Sequence, residues 1–555
     1  MRAWVRQRFC CHAGLQLALA TLVVLAVVAV PCAAAARTDA AGNHSAPAFH
    51  VYFGDLHNHT SFSDGAGTPD QAWAQARASG ADFLAVTDHR NRLSDSEWAE
   101  ILAGADASTS AGFVAISGFE LGAGIGHLNV YGTSSFPDLS LDGPALYDWI
   151  AGQSAIAQWN HPLRASQNFD DFASWSPTRD AAIDLLEVVN HSASGTNPGY
   201  ESSYVLALDK GWHVMPSANK DTHDTTWIIG NGLRTALLAP ELTRQALYDA
   251  IRARRGYATT DQDLIVGFSV AGAVMGSVTA QTAGACPVSV HVEDPDAASG
   301  EVIAKVEIVT TGGTVVAAQT GSGRILDWAT TVDSVAGRYY YVRVWERSTP
   351  IDSPKKTAWT APVWLVDQTA PHTLQYGVDD AWHRTPVTVT LDAADNSGGS
   401  GVARTEYRLD GGPLTNGSGV VVDGDGAHVL EYRSVDHAGN VEAFNRVVVR
   451  VDTSLPVPLA PVAARVRRGS SVGLIYRVDD ATPGGGRVTV VILVRDSSGA
   501  VVKILRRGAQ PVGVRLTARF WCALAPGHYR FAVYATDAAG NAQLKPALNV
   551  LRVTR

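Results

Sequence analysis

Between residues 51 and 262, short runs of apolar side chains alternate with stretches in which apolar positions recur at helical spacing. Val51, Phe53 and Leu56 mark the first run, and others lie at 83–87, 113–117, 127–131, 155–160, 184–189 and 214–218. Such runs read as strands buried on both faces. Helices are predicted over 69–79, 94–103, 143–150, 200–210 and 243–255. The first has Thr68 placed to cap it, Pro69 in its first turn and Gly80 beyond its end, and the second opens on the capping-box spacing Ser94-Asp95-Ser96-Glu97. Alternation of this kind predicts a parallel sheet or barrel, with chemistry gathered beyond the carboxyl ends of the strands.

Past Asp261 the pattern changes to period-two alternation of Val, Thr and aromatic residues broken by Gly, Asp and Ser, which predicts an all-β half. Val366-Asp367-Gln368-Thr369-Ala370-Pro371 recurs in kind as Val451-Asp452-Thr453-Ser454-Leu455-Pro456. Asp436-His437-Ala438-Gly439-Asn440 likewise recurs as Asp537-Ala538-Ala539-Gly540-Asn541. The repeat predicts two sandwich modules, 367–451 and 452–555, after a more divergent β domain at 263–366 in which Tyr339 to Val344 forms a strand. Asp392, Asp395, Asp423 and Asp425 raise the question of calcium, but no loop-ligand spacing is present and Gly-Asp turns account for them.

The amino terminus has the build of an export signal over 1–36: Arg2, Arg6 and Arg8, an apolar run at 15–30, then Ala34-Ala35-Ala36. The run is short for a membrane span, so a soluble exported protein is expected, with an uncleaved anchor as the alternative. This leaves 37–262 as the first domain, entered through a polar, small-residue lead-in. Three of the five cysteines fall in the leader, and Cys286 and Cys522 fall in different domains, so a disulfide framework is not expected. A net charge of −9 supplies no basic footprint for long nucleic acid and leaves small charged substrates open.

The candidate chemistry lies at the strand ends. There one finds His57 and His59, Thr87-Asp88-His89, Gly118-Phe119-Glu120, Gly126-His127, Asn160-His161-Pro162 and Asp221-Thr222-His223. His57 and His59, two apart on extended backbone, project to the same side, and the Asp64-Gly65 turn can aim a carboxylate into the same cavity. Ten of the 17 histidines lie between His44 and His223, six of them at these strand ends, which implies a common polar cavity whose burial metal or substrate would offset. Asp88 is expected to orient His89 or cap a loop. Asn190, His191, Lys220 and Arg234 are candidates for contact with an anionic substrate, against a plain surface or packing role for each.

These motifs, in this order over residues 48–262, resemble the PHP (polymerase and histidinol phosphatase) superfamily of metal-dependent phosphoesterases. Gly118-Phe119-Glu120 followed by Gly126-His127-Leu128-Asn129-Val130, with Trp159-Asn160-His161-Pro162, looks most like its CehA/McbA branch, which includes carbamate hydrolases. The resemblance implies a distorted (β/α)7 barrel ahead of about three all-β sandwich domains, the later ones similar to bacterial Ig-like repeats. It implies one metal on His57, His59, Glu120 and Asp221, a second bridged by Glu120 and held by His127 and His161, and a third on Asp64, His89 and His223. Two or three divalent transition metal ions are thus expected, zinc, manganese or iron, with Glu120 and Asp221 bridging the ions and orienting a hydroxide nucleophile.

The function this implies is secreted, metal-dependent hydrolysis of a small anionic ester, a phosphoester before a carbamate or carboxylic ester. A non-catalytic surface-binding protein is the reading from another class. Cell-wall or surface contact through the β modules is compatible with either, since that fold does not dictate function.

Overall fold

The computed structural model describes residues 49–164, 168–191, 199–282, 284–296, 301–347, 353–481, 484 and 486–555, and the stretch Phe49–Arg555 forms one compact unit. The expected export signal lies outside the described residues. Among the described residues no helix is long and apolar enough to cross a membrane.

Nine strands build the first half: β1 (His50–Asp55), β2 (Phe83–Val86), β3 (Val114–Ala123), β4 (Gly126–Tyr131), β5 (Ile156–Asn160), β6 (Leu185–Asn190), β7 (Met215–Asn219), β8 (Arg234–Ala239) and β9 (Gly256–Thr259). The helices among them are α1 (Pro69–Ala78), α2 (Asp95–Ser108), α3 (Gly143–Gln153), α4 (Pro177–Asp180), α5 (Glu201–Asp209) and α6 (Arg244–Arg252). The predicted capping box Ser94 with Glu97 forms, and the predicted cap at Thr68 proves to be a box as well, with Gln71. α2 runs past its expected end to Ser108: Ala103, Ala105 and Ala107 favour the helix and Ala105 is buried, which carries it through Gly104 and Asp106.

The strand order is β9-β8-β1-β2-β3-β4-β5-β6-β7. Every residue of β2, β5, β6 and β7 is buried; β2 is apolar throughout, while β5, β6 and β7 also bury polar side chains, Gln158, Asn160, Glu187, Asn190, Ser217 and Asn219. The sheet curls until Ala218 of β7 donates its N–H to Thr235 Oγ1 of β8 at 3.2 Å. The expected parallel order holds for β1-β2-β3 and β5-β6-β7 only. β4 follows β3 through a glycine-rich hairpin with no crossover helix, so it pairs antiparallel with both β3 and β5. β8 and β9, which the apolar pattern did not mark, run antiparallel beside β1.

This sheet does not stop at residue 262. β9 pairs antiparallel with Lys355–Thr360, which pairs with Tyr339–Arg347, the predicted tyrosine strand. Tyr341 donates to Glu201 Oε1 of α5 at 2.9 Å, Arg343 reaches the same oxygen at 2.6 Å and Lys356 holds Glu201 Oε2 at 2.5 Å. The region 263–366 is therefore both hydrogen-bonded to the first half and charge-paired with it.

Residues 367–451 and 452–555 each fold as a three-stranded and a five-stranded sheet. Val389 and Leu391 of one sheet share a core with Leu430 and Val449 of the other, and Leu474 with Ile492 and Phe531 in the second module. The repeated Asp-x-Ala-Gly-Asn turns have one job: Asn440 Nδ2 donates to the Asp367 carbonyl at 3.1 Å and Asn541 Nδ2 to that of Asp452 at 2.7 Å, tying each turn to the start of its module. Asp395 accepts from the amides of Asn396 and Gly401, and Asp425 from Thr453 and Ser454, as turn carboxylates do. Cys286 and Cys522 are free, buried thiols.

Candidate metal centre

The nine side chains singled out at strand ends meet above the curled sheet. Backbone pairing explains how. Asp221 N–H donates to the His57 carbonyl at 3.0 Å and His59 N–H to the Thr222 carbonyl at 2.9 Å, so the His57-x-His59 and Asp221-x-His223 segments run side by side. Glu120 N–H donates to the Asp88 carbonyl at 3.1 Å and Arg90 N–H to that of Glu120 at 2.8 Å, which sets His89 against Glu120. His127, on β4, faces Asn160 across the ladder, with His161 next in the chain. His161 and Asp221 hold φ of 29° and 53°, left-handed conformations that cost on the order of 1 kcal/mol or more and that cluster at functional sites.

Glu120, 2% exposed, is the hub. Its Oε1 lies 3.4 Å from His57 Nε2, 3.1 Å from His127 Nδ1 and 3.4 Å from His161 Nε2. Its Oε2 lies 3.4 Å from His59 Nε2 and 2.9 Å from His89 Nδ1. His57 Nε2, His59 Nε2 and Asp221 Oδ1 form a triangle with sides of 3.3, 3.3 and 3.2 Å. Asp64, partly exposed, stands 3.9, 3.5 and 3.5 Å from His59, His89 and His223. His59 therefore borders two groups, one with His57 and Asp221 and one with Asp64, His89 and His223, while His57, Glu120 and His161 make a third.

These donors fit divalent metal ions. Nitrogen and oxygen ligands at about 2.0–2.1 Å from a tetrahedral ion lie about 3.3 Å from one another, the spacing of the triangle. The tautomer agrees. Glu187 Oε1 accepts from His57 Nδ1 at 2.9 Å, which leaves His57 Nε2 with a lone pair aimed at His59 Nε2, an opposition that a cation relieves. With no ion, the groups neutralise one another. Burial alone would lower the His57 pKa, but Asp221, Glu187 and Glu120 raise it well above its ordinary value. Burial would raise Glu120, yet His57, His127 and His161 hold it well below the usual carboxylate range, and Asp221 is depressed against burial by His57 and His59.

Several residues that the sequence did not mark hold this set in place. Glu187, wholly buried, also accepts from the His161 amide at 2.7 Å and from Asn219 and Asn190. Asp55 accepts from the amides of His57 and Lys220, and burial, the largest influence, pushes its pKa up to about 6. Asn160 donates to Glu120 Oε1 at 2.9 Å, Trp227 to the His59 carbonyl at 3.0 Å and Arg164 to Asp221 Oδ2 at 2.7 Å. Asp88 takes the loop-capping role of the two expected for it, accepting from Thr60 and Ser63.

Of the four candidates for substrate contact, His191 and Lys220 line a cleft of about 500 Å³ beside Asp221 and His223. The Lys220 ammonium is bonded to Thr226 and to the Ile229 carbonyl. Arg234 is bonded to the carbonyls of Leu233 and Ile228, and Asn190 to Glu187, so both serve packing. A larger cavity, about 690 Å³, lies on the last module beside Arg495 and Tyr529, away from the imidazole and carboxylate cluster.

Fold and site together define a strand-end cluster of metal-ligand side chains on a mixed β/α sheet. Residues 55–154 match the model of the PHP domain family. Among solved structures, the chain is similar to a two-domain protein of Bacteroides vulgatus containing a predicted PHP-like metal-dependent phosphoesterase, at 16% identity over 60% of this chain and 100% of that one, TM-score 0.33. It is also similar to a protein of Bifidobacterium adolescentis provisionally described as a metal-dependent phosphoesterase, at 16% identity over 36% and 95% of the two chains, TM-score 0.25. The tetra-tandem repeat from the extending region of a large adhesion protein aligns at 18% identity over 58% of this chain and 82% of that one, TM-score 0.25. No curated protein matches the chain.

Proposed function

We propose that this protein is an exported metal-dependent hydrolase of ester bonds, phosphoesters first, working at a polynuclear centre on a distorted (β/α)7 barrel of the CehA/McbA type. The observation that carries the reading is Glu120, whose two oxygens face five imidazoles within 2.9 to 3.4 Å. A carboxylate so placed suits the bridge between two ions. Divalent metals bound here supply Lewis acidity and a nucleophile from water at neutral pH.

The chain's own residues do the rest. His57 is oriented by Glu187, and Asn160 fixes Glu120 so that both oxygens stay aimed at the ligands. Arg164 sits on the outer oxygen of Asp221, a residue of the cleft wall, and so holds that carboxylate in place. Asp64, partly exposed, closes the rim with His89 and His223.

A second reading, hydrolysis of carbamates or carboxylic esters, is favoured by one feature. Lys220 and Arg234 are bonded to protein oxygens and Arg164 to Asp221, so the cleft has no free cation among these three to clamp a phosphate. The discriminating experiment is metal analysis of protein purified without chelator, followed by a panel of phosphomonoester, phosphodiester and carbamate chromogens. Turnover of phosphoesters carries the first reading and turnover of carbamates alone the second. Full metal content with no turnover of any ester would leave a binding protein. The β modules, Ig-like by resemblance, would then be the working part, as spacers or as contacts to a surface.

A further inference from the structure

A second group of acidic side chains lies where the first half meets the β region, and it shares no residue with the imidazole centre. Asp261 and Asp263 stand in the turn after β9, Asp294 directly follows the strand Ala285–Glu293, and Glu346 is on the strand Tyr339–Arg347. Oxygens of Asp261, Asp263 and Asp294 all lie within 4.8 Å of one another. Asp261 and Glu346 also line a cavity of about 170 Å³, together with Glu301 and Thr357.

Proximity of acids alone says little, since turns are rich in them. The burial and the unmet oxygens say more. Asp294 is 1% exposed and Glu346 6% exposed, and among the described residues neither oxygen of Asp294, nor Oε1 of Glu346, nor Oδ1 of Asp263 has a hydrogen-bond partner. Asp261 is the exception, accepting from the amides of Asp263 and Leu264 at 3.1 Å. Arg347 and Lys355 line the same cavity, yet among the described residues neither forms an ion pair with these acids. Buried carboxylates whose oxygens have no donors are costly as anions unless a cation meets them. Left alone they bind protons more tightly than ordinary carboxylates: burial, then Asp261 and Asp294, push Glu346 up to about 8, and burial with Asp261 and Glu301 pushes Asp294 to about 6.

We propose that Asp261, Asp263, Asp294 and Glu346 bind a calcium ion that clamps the β region to the sheet of the first half. The donors are all oxygen, with no imidazole or thiolate, which suits a hard cation, and calcium tolerates irregular shells of six to eight oxygens that water completes. One ion would join three separate segments: the turn leaving β9, the end of the strand Ala285–Glu293 and the tyrosine strand. It would therefore act on the cohesion of the two halves, independently of whether the imidazole centre hydrolyses anything.

The test uses the full exported chain, stripped of divalent ions with EGTA, freed of the chelator, reloaded with its transition metal and then titrated with calcium by calorimetry and by thermal unfolding. The wild type is expected to bind one more calcium than the double variant Asp294→Asn/Glu346→Gln, and calcium is expected to raise the thermal midpoint of the wild type alone. With EGTA the order reverses, the double variant being at least as stable because two buried acids are gone. Transition metal content should be equal in both. Asp263→Asn, a milder change at the edge of the group, should weaken the extra calcium by tenfold or more and serves if the double variant does not fold. Equal calcium stoichiometry in wild type and variants, or a wild-type midpoint that responds to pH but not to calcium, would overturn the proposal.

Discussion

Glu120 and Glu346 are both buried strand glutamates, and their environments push them in opposite directions. Five imidazoles surround Glu120 and hold it ionised, whereas Glu346 faces Asp261 and Asp294 and is driven toward its protonated form. Burial is common to both, so the sign is set by the neighbours. The lesson concerns what each place needs. The imidazole centre is neutralised from within even before an ion arrives, while among the described residues the acids of the pocket at the seam form no ion pair.

The sharpest way to break the contrast is at Glu120. Glu120→Gln removes the charge that faces the imidazoles, and turnover is expected to fall by several kcal/mol of barrier, on the order of a thousandfold or more, with the thermal midpoint little changed. A variant with near wild-type rate and metal stoichiometry would refute the bridging role. Next comes Glu187→Gln, which keeps the shape but not the charge behind His57. Metal affinity or activity should drop about 10- to 100-fold, and a fluorescent-chelator competition assay reads this directly.

At the other pole, pH separates the two regions. Glu346 is raised from 4.5 to about 8 in the folded chain, so folding takes up a proton. With calcium removed, its contribution is fully present below the unfolded value near 4.5 and is lost as pH rises toward 8. Urea midpoints in EGTA should fall across that window, and Glu346→Gln should flatten the slope. No flattening would mean that Glu346 does not titrate as its neighbours require. The smallest effect expected is from ending the chain at Asp367. Lys355–Thr360 stays paired with β9, and Tyr339–Arg347 with Lys355–Thr360, so metal content and turnover of small substrates should be unchanged. Loss of turnover with full metal would put the modules in the site.

The sequence exposed the candidate ligands because their residue types are rare at the ends of apolar strands. It hid their supports. Glu187 sits in Leu185-Leu186-Glu187-Val188-Val189, where a lone acid inside an apolar strand was the available signal, and Asn160 passed as part of a motif. Arg164, three residues after His161, had no pattern to mark it. β8, Arg-Thr-Ala-Leu-Leu-Ala, has Thr235 as its single β-branched residue among good helix formers, and its place beside β1 is decided by tertiary pairing. The hairpin between β3 and β4 was legible in Gly122, Gly124 and Gly126, but only pairing could show that it turns the sheet antiparallel. The acid pocket draws on segments more than eighty residues apart, from Asp261 to Glu346, and no local spacing announces it.

The last module pairs its second strand, Ala464–Arg467, parallel with the end of its final strand, Leu551–Thr554. A pull applied at the two ends of that module therefore draws these strands past each other along their length. The hydrogen bonds between them are loaded together, in shear, instead of being peeled one by one. In the preceding module the matching parallel contact spans only Trp382–His383 against Arg450–Val451. Under tension the shorter contact yields first, so a stretched chain would lengthen in the module nearer the first half before it gave way at its far end.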